Sequence, residues 1–286
     1  MYLQVVSAQM TSTNYQILWD SVNTGGLDVS SSFSYQLRDS LGQTADARST
    51  STSYIQDTGY RSGIYDQVLS LSILPQSDAS VRSASALSGL VITTDPTGLS
   101  VGDYIVVIQD RGASQVSGMG KIASVGVSTI TLDRLSTDGT TPVIDGTSDY
   151  VYKLTGSAIS LGTITNSAVQ TAVIGFDVTA DLPSGYTLQI KEDGALRSGA
   201  YDIDDVADGT VTAGSEEYGA RSSDTSLATT FDTQDTGITT TFQEIVSSSS
   251  RKFYERNFVT LKASASGSSY SGSYSQTLSI ILSGNF

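Results

Sequence analysis

The sequence predicts an all-β protein: an antiparallel β-sandwich, with a small sheet module before it and a small SH3-like β-barrel inserted in it. Three observations carry this expectation. Apolar residues alternate with serine and threonine over stretches of five to ten residues, the period of a half-buried strand. Nearly three in ten residues are serine or threonine, and there are 27 glycines but only 4 prolines. No window holds a 3.6-residue apolar period for three turns.

The first 65 residues form the sheet module. Tyr15, Tyr35 and Tyr54 recur in similar blocks, and Asp20 and Ser21 are echoed by Asp39 and Ser40. Each block has the length of a strand and a turn. Tyr15, Ile17 and Trp19 alternate on one strand face, and Gly59 to Gly63 closes the module. So small a sheet buries little area alone and must lean on the next domain or on another copy.

A clear strand follows, with Leu69, Leu71 and Ile73 alternating before Pro75. Residues 76–88 read as a polar linker. Residues 89–155 read as the inserted barrel: Asp95 to Gly98 is a turn, and Val101, Gly102 and Asp103 form a corner feeding the apolar run Tyr104 to Ile108. Short strands at Lys121 to Ala123, Ser128 to Asp133 and Tyr150 to Leu154 complete it. Period-two patterning then resumes at Ala172 to Ala180, Tyr186 to Ile190, Val259 to Ala265 and Tyr274 to Leu282. The sandwich is therefore expected from residues 66–88 plus 156–286. Exposed loops tolerate insertions of this kind.

Composition narrows the function. The net charge is −14, which disfavours nucleic acid and anionic membranes as partners. No apolar run reaches the roughly 18 residues of a membrane span. The chain has neither cysteine nor histidine. Disulfides, thiolate metal sites and the serine–histidine–aspartate triad are excluded. Carboxylate-only glycoside hydrolysis is the enzymatic class left open. Any pair could be drawn from 29 acids, so a pair alone points nowhere, and the expectation is that the chain is not an enzyme and has no cofactor. Asp202, Asp204 and Asp208 before Gly209 suggest a calcium loop, against the plainer reading of a solvated acidic loop. The basic and aromatic run from Arg251 to Arg256 reads either as a docking patch for an acidic neighbour or as a hairpin tip. Lys262, in a strand, is the candidate for a Lys–Asn isopeptide bond. Val6, Ser7 and Ala8 have the small-x-small form of a signal-peptidase site, so Met1 to Ala8 reads either as the tail of an export signal or as part of a strand from Leu3 to Met10.

The opening pattern is Ser12, Tyr15, Ile17, then Asp20, Ser21, Asn23, Gly25, Gly26, then Ser32, Tyr35, Leu37, Asp39, Gly42. It resembles the start of secreted surface and filament proteins of ultra-small candidate-phyla bacteria. Ser184 to Leu188, Ala207 to Gly209, Glu217 to Gly219 and Tyr274 to Leu278 are similar to the β-sandwich that often follows. The resemblance implies an extracellular, cell-surface protein and carries no catalytic residues.

The expected function is a structural subunit that self-assembles head to tail by strand addition into a filament, pilus-like fibre or surface layer. Val6, Ala8, Met10, Tyr15, Ile17 and Trp19 would form the polymerisation interface as the donor. The alternative is an adhesin that binds glycan or a host surface through residues 89–155.

Overall fold

Strand periodicity decides this molecule, because its β-branched and hydroxyl residues fit pleated surfaces far better than helices. The computed structural model describes residues 68–285 and, before them, six short strands between Met10 and Thr58. Among the described residues there is no α-helix, and so none long and apolar enough to cross a membrane. The chain divides into two units, Met1–Asp66 and Gln67–Phe286.

In the first unit, β1 (Met10–Thr11) pairs with β2 (Gln16–Ile17), β3 (Ser30–Ser31) with β4 (Gln36–Leu37), and β5 (Ala47–Thr50) with β6 (Ile55–Thr58). Each second strand begins just after a repeated tyrosine. The repeat is therefore one of hairpins. The expected single small sheet is replaced by three separate pairs among the described residues. Pairing across a few residues closes a short loop, which costs less entropy than pairing across a whole repeat.

The second unit begins with β7 (Leu69–Pro75). The chain then runs through β8 (Arg82–Ser88), β9 (Val91–Thr94), β10 (Tyr104–Gln109), β11 (Val116–Val125), β12 (Thr129–Leu132), β13 (Ser136–Thr137) and β14 (Tyr150–Lys153). Their antiparallel pairings follow the order β10, β14, β8, β9, β12, β11, and β11 pairs back to β10, so six strands close a ring. Residues 82–88, expected as linker, are a strand of that ring. The ring interior holds Ala84, Ile92, Ile105, Val107, Ile122, Ile130 and Val151.

The remaining strands are β15 (Gln170–Ala180), β16 (Tyr186–Glu192), β17 (Leu196–Ser198), β18 (Tyr201–Ile203), β19 (Glu217–Ser222), β20 (Gln243–Ser248), β21 (Lys252–Ser264) and β22 (Leu278–Gly284). They form two main antiparallel sheets, β19-β21-β15-β7 and β20-β16-β22. Both sheets feed one core in a sandwich-like arrangement. Ile174, Phe176, Val178, Val259 and Leu261 come from the first sheet, and Tyr186, Leu188, Ile190, Ile245 and Val246 from the second. The ring is entered from β7 and left into β15, which are neighbours in the first sheet.

Alternation between two cores explains why β10 and β15 are buried on both faces. Ile105 and Val107 fill the ring, while Val106 and Ile108 turn outward. Those outward residues meet Met119, Tyr152, Leu154, Val173 and Phe258 in a second core between ring and sandwich. Gly175 lies under this contact. A Cβ there would come within 2.9 Å of Leu154 and Met119 side chains, so the close approach requires glycine.

Candidate functional site

The first sheet ends at β7 and the second at β22 on the same side, where Gly284 lies against Leu69. Leu69, Leu71 and Ile73 stand opposite Ala180, Val178 and Phe176 in register, so their side chains point to the core side of the sheet. Yet Leu69 is 40 % exposed and Ile73 44 %. Leu278, Ile280 and Leu282 of β22 only partly cover the core from the facing sheet. Ile281, turned the other way, is also exposed. The sandwich is thus open along this seam, with two edge strands that have no further partner among the described residues. Such an edge offers a row of unsatisfied backbone donors and acceptors beside apolar side chains.

The opposite seam is closed by residues 203–240. The Tyr218 amide donates to the Asp204 carbonyl at 2.7 Å, and the Val206 amide donates to the Tyr218 carbonyl at 2.8 Å. Ala220 and Thr236 exchange two backbone hydrogen bonds of 2.9 Å each. The Asp224 carboxylate accepts from the Ser247 amide, and Thr229 Oγ1 donates to the Glu244 carbonyl. Phe231 and Ile238, both fully buried, plug the gap between the sheets.

At one end of the core, loops 159–166 and 265–276 enclose a cavity of about 890 Å³. No charged residue lines it. Gln276 Nε2 donates to the Tyr218 hydroxyl at 2.6 Å, while Gln276 Oε1 is buried with no partner among the described residues. Tyr270, which lines the cavity, stacks on Tyr201 with centroids 4.0 Å apart and planes 8° from parallel. Both rings remain half-exposed. Burial pushes the Tyr218 hydroxyl well above the usual phenol range, so it is a neutral donor and acceptor.

The outer face of β21 carries Arg256, Phe258, Thr260 and Lys262 toward the ring side. Arg256 Nη1 and Nη2 donate to the Asp133 carboxylate at 2.7 Å each, and Nε to Asp177 at 3.3 Å. The Tyr104 hydroxyl donates to Asp177 at 2.8 Å, and the Arg256 guanidinium lies 5.3 Å from the Tyr104 ring centre. Burial, then the Asp177 carboxylate, pushes the Tyr104 phenol up to about 12. Arg251 pairs with Asp181 and Lys252 with Glu255. The basic run is therefore engaged within its own chain, and its last member is a joint between ring and sandwich. Strand alternation with Phe258 is the signal that could have found Arg256.

The three proposed calcium ligands are not brought together. Asp202 stands opposite Arg197 in the β17–β18 hairpin, Asp204 offers its carbonyl to β19, and the Asp208 carboxylate accepts from the Thr210 amide in its own turn. Among the described residues no three carboxylates gather as a metal ion needs. Each aspartate serves a hairpin or turn instead. Of the predicted polymerisation residues, Met10 and Ile17 are partners in the β1–β2 hairpin, and Val6, Ala8, Tyr15 and Trp19 lie outside the described residues. Set against protein-family models, curated proteins and solved structures, the chain matches none of them.

Proposed function

We propose that this chain is an extracellular, non-enzymatic structural subunit that assembles head to tail by strand addition. The donor is the N-terminal segment with Val6, Ala8, Met10, Tyr15, Ile17 and Trp19, and the acceptor is the open β7–β22 seam of another copy. The observation that carries the reading is the half-exposure of Leu69 and Ile73 on the core side of an edge strand. A strand from a neighbour satisfies the free backbone row and buries those side chains. A contact between two different surfaces propagates into a fibre or layer when its rotation does not close a ring. In this reading the two sheets are an antiparallel β-sandwich, and the ring is an inserted SH3-like barrel fixed to it through Arg256. The test is deletion of residues 1–19, followed by negative-stain microscopy and light scattering. The shortened chain should stay a folded monomer while the full chain forms fibres. Fibres from the shortened chain would overturn the donor assignment.

A second reading, recognition of a neutral glycan, draws support from the cavity beneath Tyr270. Its uncharged lining, the unpaired Gln276 Oε1 and the stacked tyrosines suit a polyhydroxyl ligand. That locates recognition at the sandwich end, away from residues 89–155. Glycan-array binding that survives Tyr270→Ala together with Gln276→Ala would remove it.

A further inference from the structure

Lys262 of β21 and Asp235, in the loop that closes the β19 seam, form a buried pair. Nζ lies 2.9 Å from Asp235 Oδ1 and 3.2 Å from Oδ2, with side-chain exposures of 7 % and 3 %. Nζ also donates to the Ala113 carbonyl at 3.0 Å, and the Val211 amide donates to Oδ2 at 3.0 Å. Oδ1, although close to Nζ, is at an angle that makes no hydrogen bond. With both oxygens this near, the carboxyl carbon is no more than about 3.5 Å from Nζ, the range of a near-attack arrangement.

We infer that Lys262 and Asp235 join in an intramolecular isopeptide bond. Proton transfer within the pair gives an amine and a carboxylic acid. The Nζ lone pair attacks Cγ and a C–N bond forms. The C–O bond of one carboxyl oxygen breaks, and that oxygen leaves with two protons as water. No oxidant, reductant or further reactant is needed. Proximity replaces an external activating group, since held reactants reach very high effective molarities. The product removes two charges that are costly to keep buried. It also ties the closing loop to a central strand in a chain without cysteine, and shortens the slack between residues 235 and 262 in the unfolded state. The sequence pointed to Lys262 with an asparagine partner, and the structure supplies an aspartate instead.

The test is the intact mass of the purified full chain under denaturing conditions. The expected value is one water below the sequence mass, with proteolysis yielding a branched peptide that contains Lys262 and Asp235. Lys262→Arg should return the mass to its full sequence value, and Asp235→Asn should sit one ammonia below its own. Wild type at full sequence mass overturns the bond. So does a water deficit that persists in Lys262→Arg, because it would then come from dehydration elsewhere, such as Asp208–Gly209.

Discussion

The two seams between the facing sheets are built from similar strands and end differently. On the β19–β20 side, the chain folds back over itself and plugs the gap with Phe231 and Ile238. On the β7–β22 side Leu69 and Ile73 face the core direction and remain nearly half in water. The proposed strand addition rests on this contrast, and the most direct way to break it is to make that side hostile to an incoming strand. Leu69→Lys with Ile73→Lys should abolish assembly, seen as loss of fibres and of high-mass species. The melting temperature of the monomer should fall little, because half-exposed side chains give up only part of their transfer free energy. Unchanged fibres in this variant would mean that assembly uses another surface.

How much of this was legible beforehand follows from where period two holds. Leu69, Leu71 and Ile73, and Ile174, Phe176 and Val178, keep strict alternation, and both strands stand where the pattern puts them. The β8 strand was missed because a register shift between Ala84 and Ala86 breaks its alternation and leaves a serine-rich string that mimics a linker. Arg256 was read as part of a docking patch or hairpin tip because charge usually means solvent, and Lys262 only as a strand residue that could be cross-linked. Only the three-dimensional partners Asp133, Asp177 and Asp235, distant in sequence, allow them to be buried. The seam was invisible for a related reason. Alternation marks which side of a strand faces the core, but not whether a facing sheet reaches far enough to cover it.

The closed seam answers to the opposite perturbation. Phe231→Ala removes a fully buried ring from between the sheets and should cost about 3–5 kcal/mol of stability, read by denaturant unfolding. Assembly of whatever fraction stays folded should persist, since the open seam is untouched. A variant that kept its stability would show that the plug is not packed as it stands.

The closed side also carries the one inward-facing acid on β16. Glu192 follows Tyr186, Leu188 and Ile190 on the core face, and its Oε2 is buried without a hydrogen-bond partner among the described residues. Burial first, then the charges of Asp205 and Asp193, pushes its carboxyl up to about 7, with Arg197 opposing. A carboxyl raised in the folded state is fully tolerated below its unfolded value, where both states are protonated. Stability is then lost as the pH rises toward the folded value, because only the unfolded chain ionises freely. Asp133 works the other way. Its carboxyl, held low by Arg256 against the effect of its own burial, lends the ring–sandwich joint stability that is lost only in acid. Glu192→Gln should therefore match wild type near pH 4 and gain on it steadily up to about pH 8 in a melting-temperature series. A constant offset across that range would place Glu192 in water and leave the closed seam without its pH dependence.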